Sequence, residues 1–354
     1  MKHHLSRRQF VVTGLAGTLA IATGFGFKDE VPVVSVVRIK NDNIGAAVEE
    51  AIELLGGIKN VSKNKNRIML KPNLVAPNPA ITTKPEVIKA LAQLILKEGK
   101  EVSIGEGSAA SPGFNMEGTE TFRTKKSTIL DPMQQYVFDQ LGYTELAKSL
   151  NIPLINLHSG EMVEVKVPNG FIFDKISVHK SLTNIDMLVS VPMMKTHVLA
   201  TVTLGMKNLI GLYPGTVYCS VRACLHDTGA EKNSPGVAYE ILDMVKACTP
   251  GLVVIDGSTA MEGNGPSAGE LVKTNLIIAG TNPLATDMVA AHIMGFHKSE
   301  VPTFTCAIQA GMKPTKLAEI EIRGELLENV QQNFKKPVIV NWKDIAGQWG
   351  AKEI

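Results

Sequence analysis

Hydrophobic positions along this chain fall in short continuous runs that alternate with longer amphipathic segments, the rhythm of strands and helices taken in turn. Val33–Ile39 is a Val-rich run that reads as a buried strand. Ile44–Leu55 carries apolar residues at helical spacing and stops at Gly56-Gly57. Arg67–Leu70 is a second strand, ended at Pro72, which has no N–H to give a ladder. Thr82-Thr83-Lys84-Pro85-Glu86 is a helix start, with Thr83 or Lys84 as cap, Pro85 in the first turn and Glu86 near the positive end of the dipole. That helix runs to Glu98 and stops at Gly99, and Glu101–Gly105 is a third strand. Strand, helix, strand, helix, strand predicts an α/β fold, a mostly parallel sheet flanked by helices.

Ser108 to Thr128 is polar and Gly-rich without a period, which predicts a long loop or lid. Further helices are expected over Asp131–Leu141, Thr144–Leu150, Gly236–Ala247 and about Pro283–Met294. Further strands are expected at Pro153–Asn156, Asp186–Val191, Leu252–Ile255, Asn275–Ala279 and Ile320–Ile322. Met162–Val167 and Phe171–Val178 predict a hairpin across Pro168-Asn169-Gly170, so the fold carries an inserted loop and hairpin region. The body spans 33–325, and Trp342 and Trp349 predict that the tail, 326–354, docks on it.

Ahead of the body, Ser6-Arg7-Arg8-Gln9-Phe10 precedes an apolar stretch from Val11 to Phe27. Gly14, Gly17, Gly24 and Gly26 interrupt it, and it is shorter than the roughly 20 apolar residues of a spanning helix. The arginine pair followed by Phe10 resembles a twin-arginine export signal, an address read by a receptor. Ala20-Ile21-Ala22 offers a cleavage site, so residues 1–22 are expected to be a signal peptide, with an uncleaved anchor as the alternative. This implies the twin-arginine translocase as a partner during export, no stable membrane span after cleavage, and a periplasmic or otherwise exported location. Lys2, Arg7 and Arg8 give the leader +3 with no acid, which leaves the rest of the chain at −1 from a total of +2. The body therefore has no basic excess, and nucleic acid is not an expected partner.

The chemistry gathers where strands end. In α/β sheets ligands sit beyond the carboxyl ends of strands. Lys71-Pro72-Asn73, Glu106-Gly107-Ser108, Pro192-Met193-Met194-Lys195-Thr196-His197 and Asp256-Gly257-Ser258 each follow a predicted strand. Four such ends predict one polar cleft. Lys71, Asn73, Lys195, Thr196 and Asn208 are candidate holders of a small anion, because ammonium, hydroxyl and amide groups donate to phosphate or carboxylate oxygens. His197, His226, Lys207 and Asp256 are candidate catalytic groups. Glu106, Asp256, Glu262 and Asp287 offer oxygens for a hard divalent cation, a candidate cofactor, although their spacing matches no EF-hand, zincin or P-loop pattern. No dinucleotide-binding, P-loop or nucleophile-elbow motif occurs.

Four cysteines are present: Cys219, Cys224, Cys248 and Cys306. None forms C-x-x-C, so a ferredoxin-type cluster is not expected. Cys219 and Cys224, five residues apart, are the favoured disulfide pair among the three pairings four cysteines allow.

Lys71-Pro72-Asn73, Thr82-Thr83-Lys84-Pro85, Gly105-Glu106-Gly107, Lys195-Thr196-His197, Leu204 to Gly211, Met261-Glu262-Gly263-Asn264-Gly265-Pro266 and Ala285-Thr286-Asp287 resemble the DUF362 domain. The resemblance runs from about Ile68 to Phe296. It implies a shared α/β fold and a shared polar site, and it brings no established reaction. Members of that family often belong to iron–sulfur proteins, but this chain lacks their Cys-rich extension. A shorter run, Gly205-Met206-Lys207, Gly211, Pro214-Gly215 and His226, resembles nickel-pincer lactate racemases; carried over, it implies Lys207 as a cofactor tether and His226 as a nickel ligand. The sequence thus leaves three readings open: a cofactor-dependent protein that binds or transforms a small anion, a non-catalytic small-anion carrier, and an iron–sulfur-linked redox protein using Cys219 and Cys224.

Overall fold

A computed structural model describes residues 31–354. The expected signal peptide lies outside the described residues. No helix among the described residues is long and apolar enough to cross a membrane.

The central sheet is built from β1 (Val33–Arg38), β2 (Arg67–Pro72), β3 (Glu101–Glu106), β4 (Leu154–Asn156), β5 (Met187–Val191), β6 (Met193–His197), β7 (Thr201–Thr203), β8 (Leu252–Glu262), β9 (Glu270–Val272), β10 (Leu276–Gly280) and β11 (Glu321–Gly324). Its main path runs β11-β1-β10-β8-β5-β2-β3-β4. Only β10 opposes its neighbours, β1 and β8; the other pairings on that path are parallel. The sheet is therefore mostly parallel, as the alternation of elements implies.

The sheet is buried on both faces, which is why β5 and β10 are apolar without alternation. One face packs on α1 (Ile44–Leu54), α2 (Pro85–Lys97), α3 (Ser127–Gln140) and α4 (Tyr143–Leu150). The other packs on α5 (Ala223–Glu231), α6 (Ala238–Ala247), α7 (Pro283–Ile293) and α8 (Pro302–Gln309), together with Phe334 and Trp342 of the C-terminal segment.

Several expectations change in register or partner. β10, β8 and β5 stand between β1 and β2, an order that the alternation of elements does not specify. A buried apolar run specifies that a strand is covered on both faces, not which strand it pairs with. Ser108–Thr128 is not a structureless lid: Met116–Glu117 and Glu120–Arg123 pair as a small hairpin, and Trp349–Glu353 adds to it in parallel. The inserted hairpin is Met162–Lys166 with Lys175–His179. Phe171, Ile172 and Phe173 are not strand, because their N–H groups donate to the Asp243 carboxylate. β8 runs past Ile255 to Glu262, and Lys195, Thr196 and His197 belong to a strand, β6, paired with β7 and β8.

The C-terminal segment is held along its length. The Lys335 N–H donates to Glu262 (2.9 Å), that of Val338 to Asn264 (2.9 Å) and that of Val340 to the Val198 carbonyl (3.0 Å). The Trp342 indole N–H donates to Asp227 (2.7 Å).

Candidate functional site

β2 and β3 align Leu70 with Ile104, so Lys71 and Glu106 emerge together at their carboxyl ends. The Lys71 ammonium donates to both Glu106 oxygens (2.9 and 2.8 Å), to the Pro72 carbonyl (2.9 Å) and to Asn208 Oδ1 (3.2 Å). Glu106 also accepts from the Leu74 N–H (3.1 Å) and the Gly107 N–H (2.7 Å). Asn208 closes the network by donating to the Lys71 carbonyl and to Ser190 Oγ, both at 3.1 Å. Gly211 packs directly on this pair, where a Cβ would overlap Glu106 and Lys71. Burial pushes the Lys71 pKa down and the Glu106 charge opposes that shift. Of the expected anion holders, Lys71 thus spends its ammonium on Glu106, Asn208 and the Pro72 carbonyl, and Asn208 spends its amide on Lys71, Asn73 and Ser190. Asn73 donates to Asn208 (3.3 Å) and keeps Oδ1 buried without a partner.

A second cation reaches the same place from a strained turn. Cys219, Val221 and Arg222 have φ of 62°, 47° and 58°, left-handed values that cost about 1–3 kcal/mol each, and a Cys219–Cys224 disulfide closes the turn. The buried Arg222 guanidinium donates to the carbonyls of Gly107 (2.7 Å), Gly211 (3.1 Å) and Ile210 (3.2 Å). Burial lowers its pKa to about 10, with Glu106 opposing.

Lys195 and His197 lie two residues apart on β6 and so share one face of it. Lys195, 1% exposed, donates to the Ile81 carbonyl (2.8 Å) and more distantly to that of Pro266 (3.4 Å), with no carboxylate in ion-pair contact among the described residues. Burial, and then the Lys207 charge, lower its pKa to about 7. His197 Nδ1 accepts from the Leu199 N–H (3.1 Å), which puts the ring proton on Nε2 as a donor. Burial, then Lys207 and Lys195, hold His197 well below the ordinary histidine range. Thr196, on the opposite side of the strand, donates to the Gly263 carbonyl (2.7 Å).

Lys207 begins a short 3-10 turn, Lys207–Leu212. Asp287 fixes the backbone just before it by accepting from the Gly205 (2.7 Å) and Met206 (2.8 Å) N–H groups. Among the described residues the Lys207 ammonium has neither a hydrogen bond nor an ion pair. Burial, followed by the charges of Arg222 and Lys71, lowers its pKa to about 8, with Glu240 opposing.

The four expected metal-binding carboxylates are not brought together. Glu106 pairs with Lys71. Asp256 accepts from the Lys84 N–H at the start of α2 (2.9 Å) and from Ser258 N–H and Oγ (3.0 and 2.6 Å); burial raises its pKa against those bonds. Glu262 holds the Lys335 N–H of the C-terminal segment. Asp287 grips Gly205 and Met206, and burial raises its pKa to about 7. Among the described residues no three His, Cys, Asp or Glu side chains gather as a metal site. The physical reason is that each carboxylate answers a backbone N–H or a cation near its own strand or helix, a use that residue type and spacing do not reveal. Nor does Asp256 contact Lys195, His197 or Lys207 by any hydrogen bond. His226 faces Glu240, its Nδ1 3.5 Å from Glu240 Oε1, with its pKa lowered by burial against the pull of Glu240.

Sequence reasoning missed Arg222 and Glu240. Neither follows a strand or stands among glycines, and only the left-handed turn and the α6 register bring them in.

This architecture is that of an α/β protein with its polar residues massed at the carboxyl ends of parallel strands. Residues 68–292 match the family described as Domain of unknown function (DUF362), and the chain belongs to that family. A thylakoid-associated protein of Synechocystis is 28% identical over 314 residues, covering 87% of this chain and 88% of its own. The lactate racemase apoprotein of Thermoanaerobacterium thermosaccharolyticum is similar in structure at a TM-score of 0.44 and 14% identity, over 74% of this chain. This chain spans 57% of that protein, and a likeness at this level adds nothing to the short nickel-pincer run.

Proposed function

We propose that the protein is an exported small-anion-binding protein, its ligand held by Lys195 and Lys207 with His197 donating from Nε2. One observation carries this reading: the buried Lys195 ammonium and the half-buried Lys207 ammonium, close enough for the Lys207 charge to lower the Lys195 pKa, have no carboxylate in ion-pair contact among the described residues. Burying a charge without a counter-charge is costly, and an anionic ligand supplies one. Arg222 adds to the positive field, and the neutral His197 donates without needing to be charged. Phosphate, sulfate and carboxylate groups share the chemistry that this set recognises. The thylakoid association of the relative and the arginine pair of residues 1–22 both support work at or beyond a membrane.

Calorimetric titration of the mature chain with sulfate, phosphate, acetate and succinate tests the reading. Lys207→Met should weaken the best of these at least ten-fold while circular dichroism stays unchanged. Binding that is absent in the native chain, or unaltered in both Lys207→Met and Lys195→Met, would refute it. With both thiols of Cys219 and Cys224 joined to each other, an iron–sulfur centre on that pair has no support in the fold.

A further inference from the structure

A cavity of about 360 Å³ lies between α5, α6 and the C-terminal segment, and neither Lys195 nor Lys207 lines it. Its polar atoms are arranged unusually. His226 and Glu240 both line it, 5% and 1% exposed, and His226 Nδ1 and Glu240 Oε1 each lack a hydrogen-bond partner. They face each other at 3.5 Å, too far for a direct N–H···O bond. The other Glu240 oxygen is taken by the Ser234 hydroxyl. The wall opposite is Trp342, whose ring lies 5.0 Å from that of His226 and whose N–H is fixed on Asp227. Asn233 and Asn341 add amide groups to the lining.

We infer that this cavity is a binding site for a small neutral polyhydroxylated molecule, with one hydroxyl bridging Glu240 and His226. A single hydroxyl answers both unpartnered atoms, since it donates to Oε1 and accepts from Nδ1–H. Charged groups suit the place less well. An ammonium would enter the positive field that Lys207 and Arg222 already exert on His226, and a carboxylate would face Glu240. The Trp342 wall suits the C–H face of a polyol or sugar, and the two asparagines suit its further hydroxyls. The volume is within the range of small-molecule sites.

Saturation-transfer NMR on the full chain, with glycerol, erythritol, glucose and myo-inositol as probes, decides the matter. At least one probe should receive saturation. Ala230→Leu, which fills the cavity without removing a polar atom, should abolish the transfer. Glu240→Gln should weaken it at least ten-fold where that variant folds. Silence from all four probes would mean that the cavity holds solvent only, and transfer unchanged in Ala230→Leu would place binding elsewhere; either result overturns the inference. Sulfate titration of Ala230→Leu should match the native chain, so this site can fail without touching the anion reading.

Discussion

Lys71, buried, and Lys207, half-buried, are two lysines of one neighbourhood, and they are used in opposite ways. Lys71 meets a carboxylate, a carbonyl and an amide oxygen, and each of those partners is itself tied to β2, β3 or the 3-10 turn. Lys207 meets none among the described residues, although the backbone before it is clamped by Asp287. The difference teaches that a buried charge is structural when the fold supplies its counter-charge, and available when the fold positions it and withholds one. Both residues follow glycine or strand signals in sequence, so residue type alone does not separate them.

Breaking the satisfied side should have the largest effect. Glu106→Gln leaves the Lys71 ammonium buried without a counter-charge and should cost about 3–5 kcal/mol, measured by urea unfolding. Lys207→Met should leave the unfolding midpoint unchanged or raise it, since it removes a charge the fold does not neutralise. Equal losses in the two variants would erase the comparison.

Next comes the clamp. Asp287→Asn can accept from only one of the two N–H groups and should cost about 1–3 kcal/mol. Burial raises the Asp287 pKa from 3.8 to about 7 in the folded chain. The folded state therefore holds a proton that the unfolded state has lost between those values. This contribution to stability is present below pH 3.8 and is lost as pH rises through about 7. The corresponding downward slope, read from thermal unfolding across that window, should be missing in Asp287→Asn.

The available side should show itself in pH as well. Burial and neighbouring positive charge lower Lys195 to about 7 and Lys207 to about 8. Sulfate stays fully ionised across that range, so its affinity should be highest below about pH 7 and should fall as each ammonium loses its proton. A flat profile from pH 6 to 9 would remove both lysines from the site. The smallest effect belongs to an exposed pair: Lys148→Ala breaks a 2.8 Å contact with Glu145 on α4 and should leave the urea unfolding midpoint unchanged, because solvent screens that contact.

Much of the fold was legible because its signals are local. Pro85 and Gly99 bracket α2, Gly56-Gly57 ends α1, and the apolar runs of β5 and β10 mark strands covered on both faces. The site was legible as a set of strand ends but not as a division of labour. Asp256 looked like a catalytic or metal-binding acid and instead accepts from the N–H of Lys84, the residue that caps α2, 172 residues away. Glu262 looked like a cation ligand and instead holds the C-terminal segment. Arg222 gave no signal, because its importance lies in a left-handed turn that aims it at four backbone carbonyls.

By itself, then, the order of residues determined the alternation of strands and helices, the helix ends and the clustering of polar groups after strands, since propensity, period and capping act within a few residues. Only the tertiary structure decided which strands are neighbours, which acids are consumed by backbone N–H groups and which lysine keeps its charge unanswered. Those outcomes depend on contacts such as Lys71 with Asn208, 137 residues apart, and a contact of that span is set by how whole elements pack.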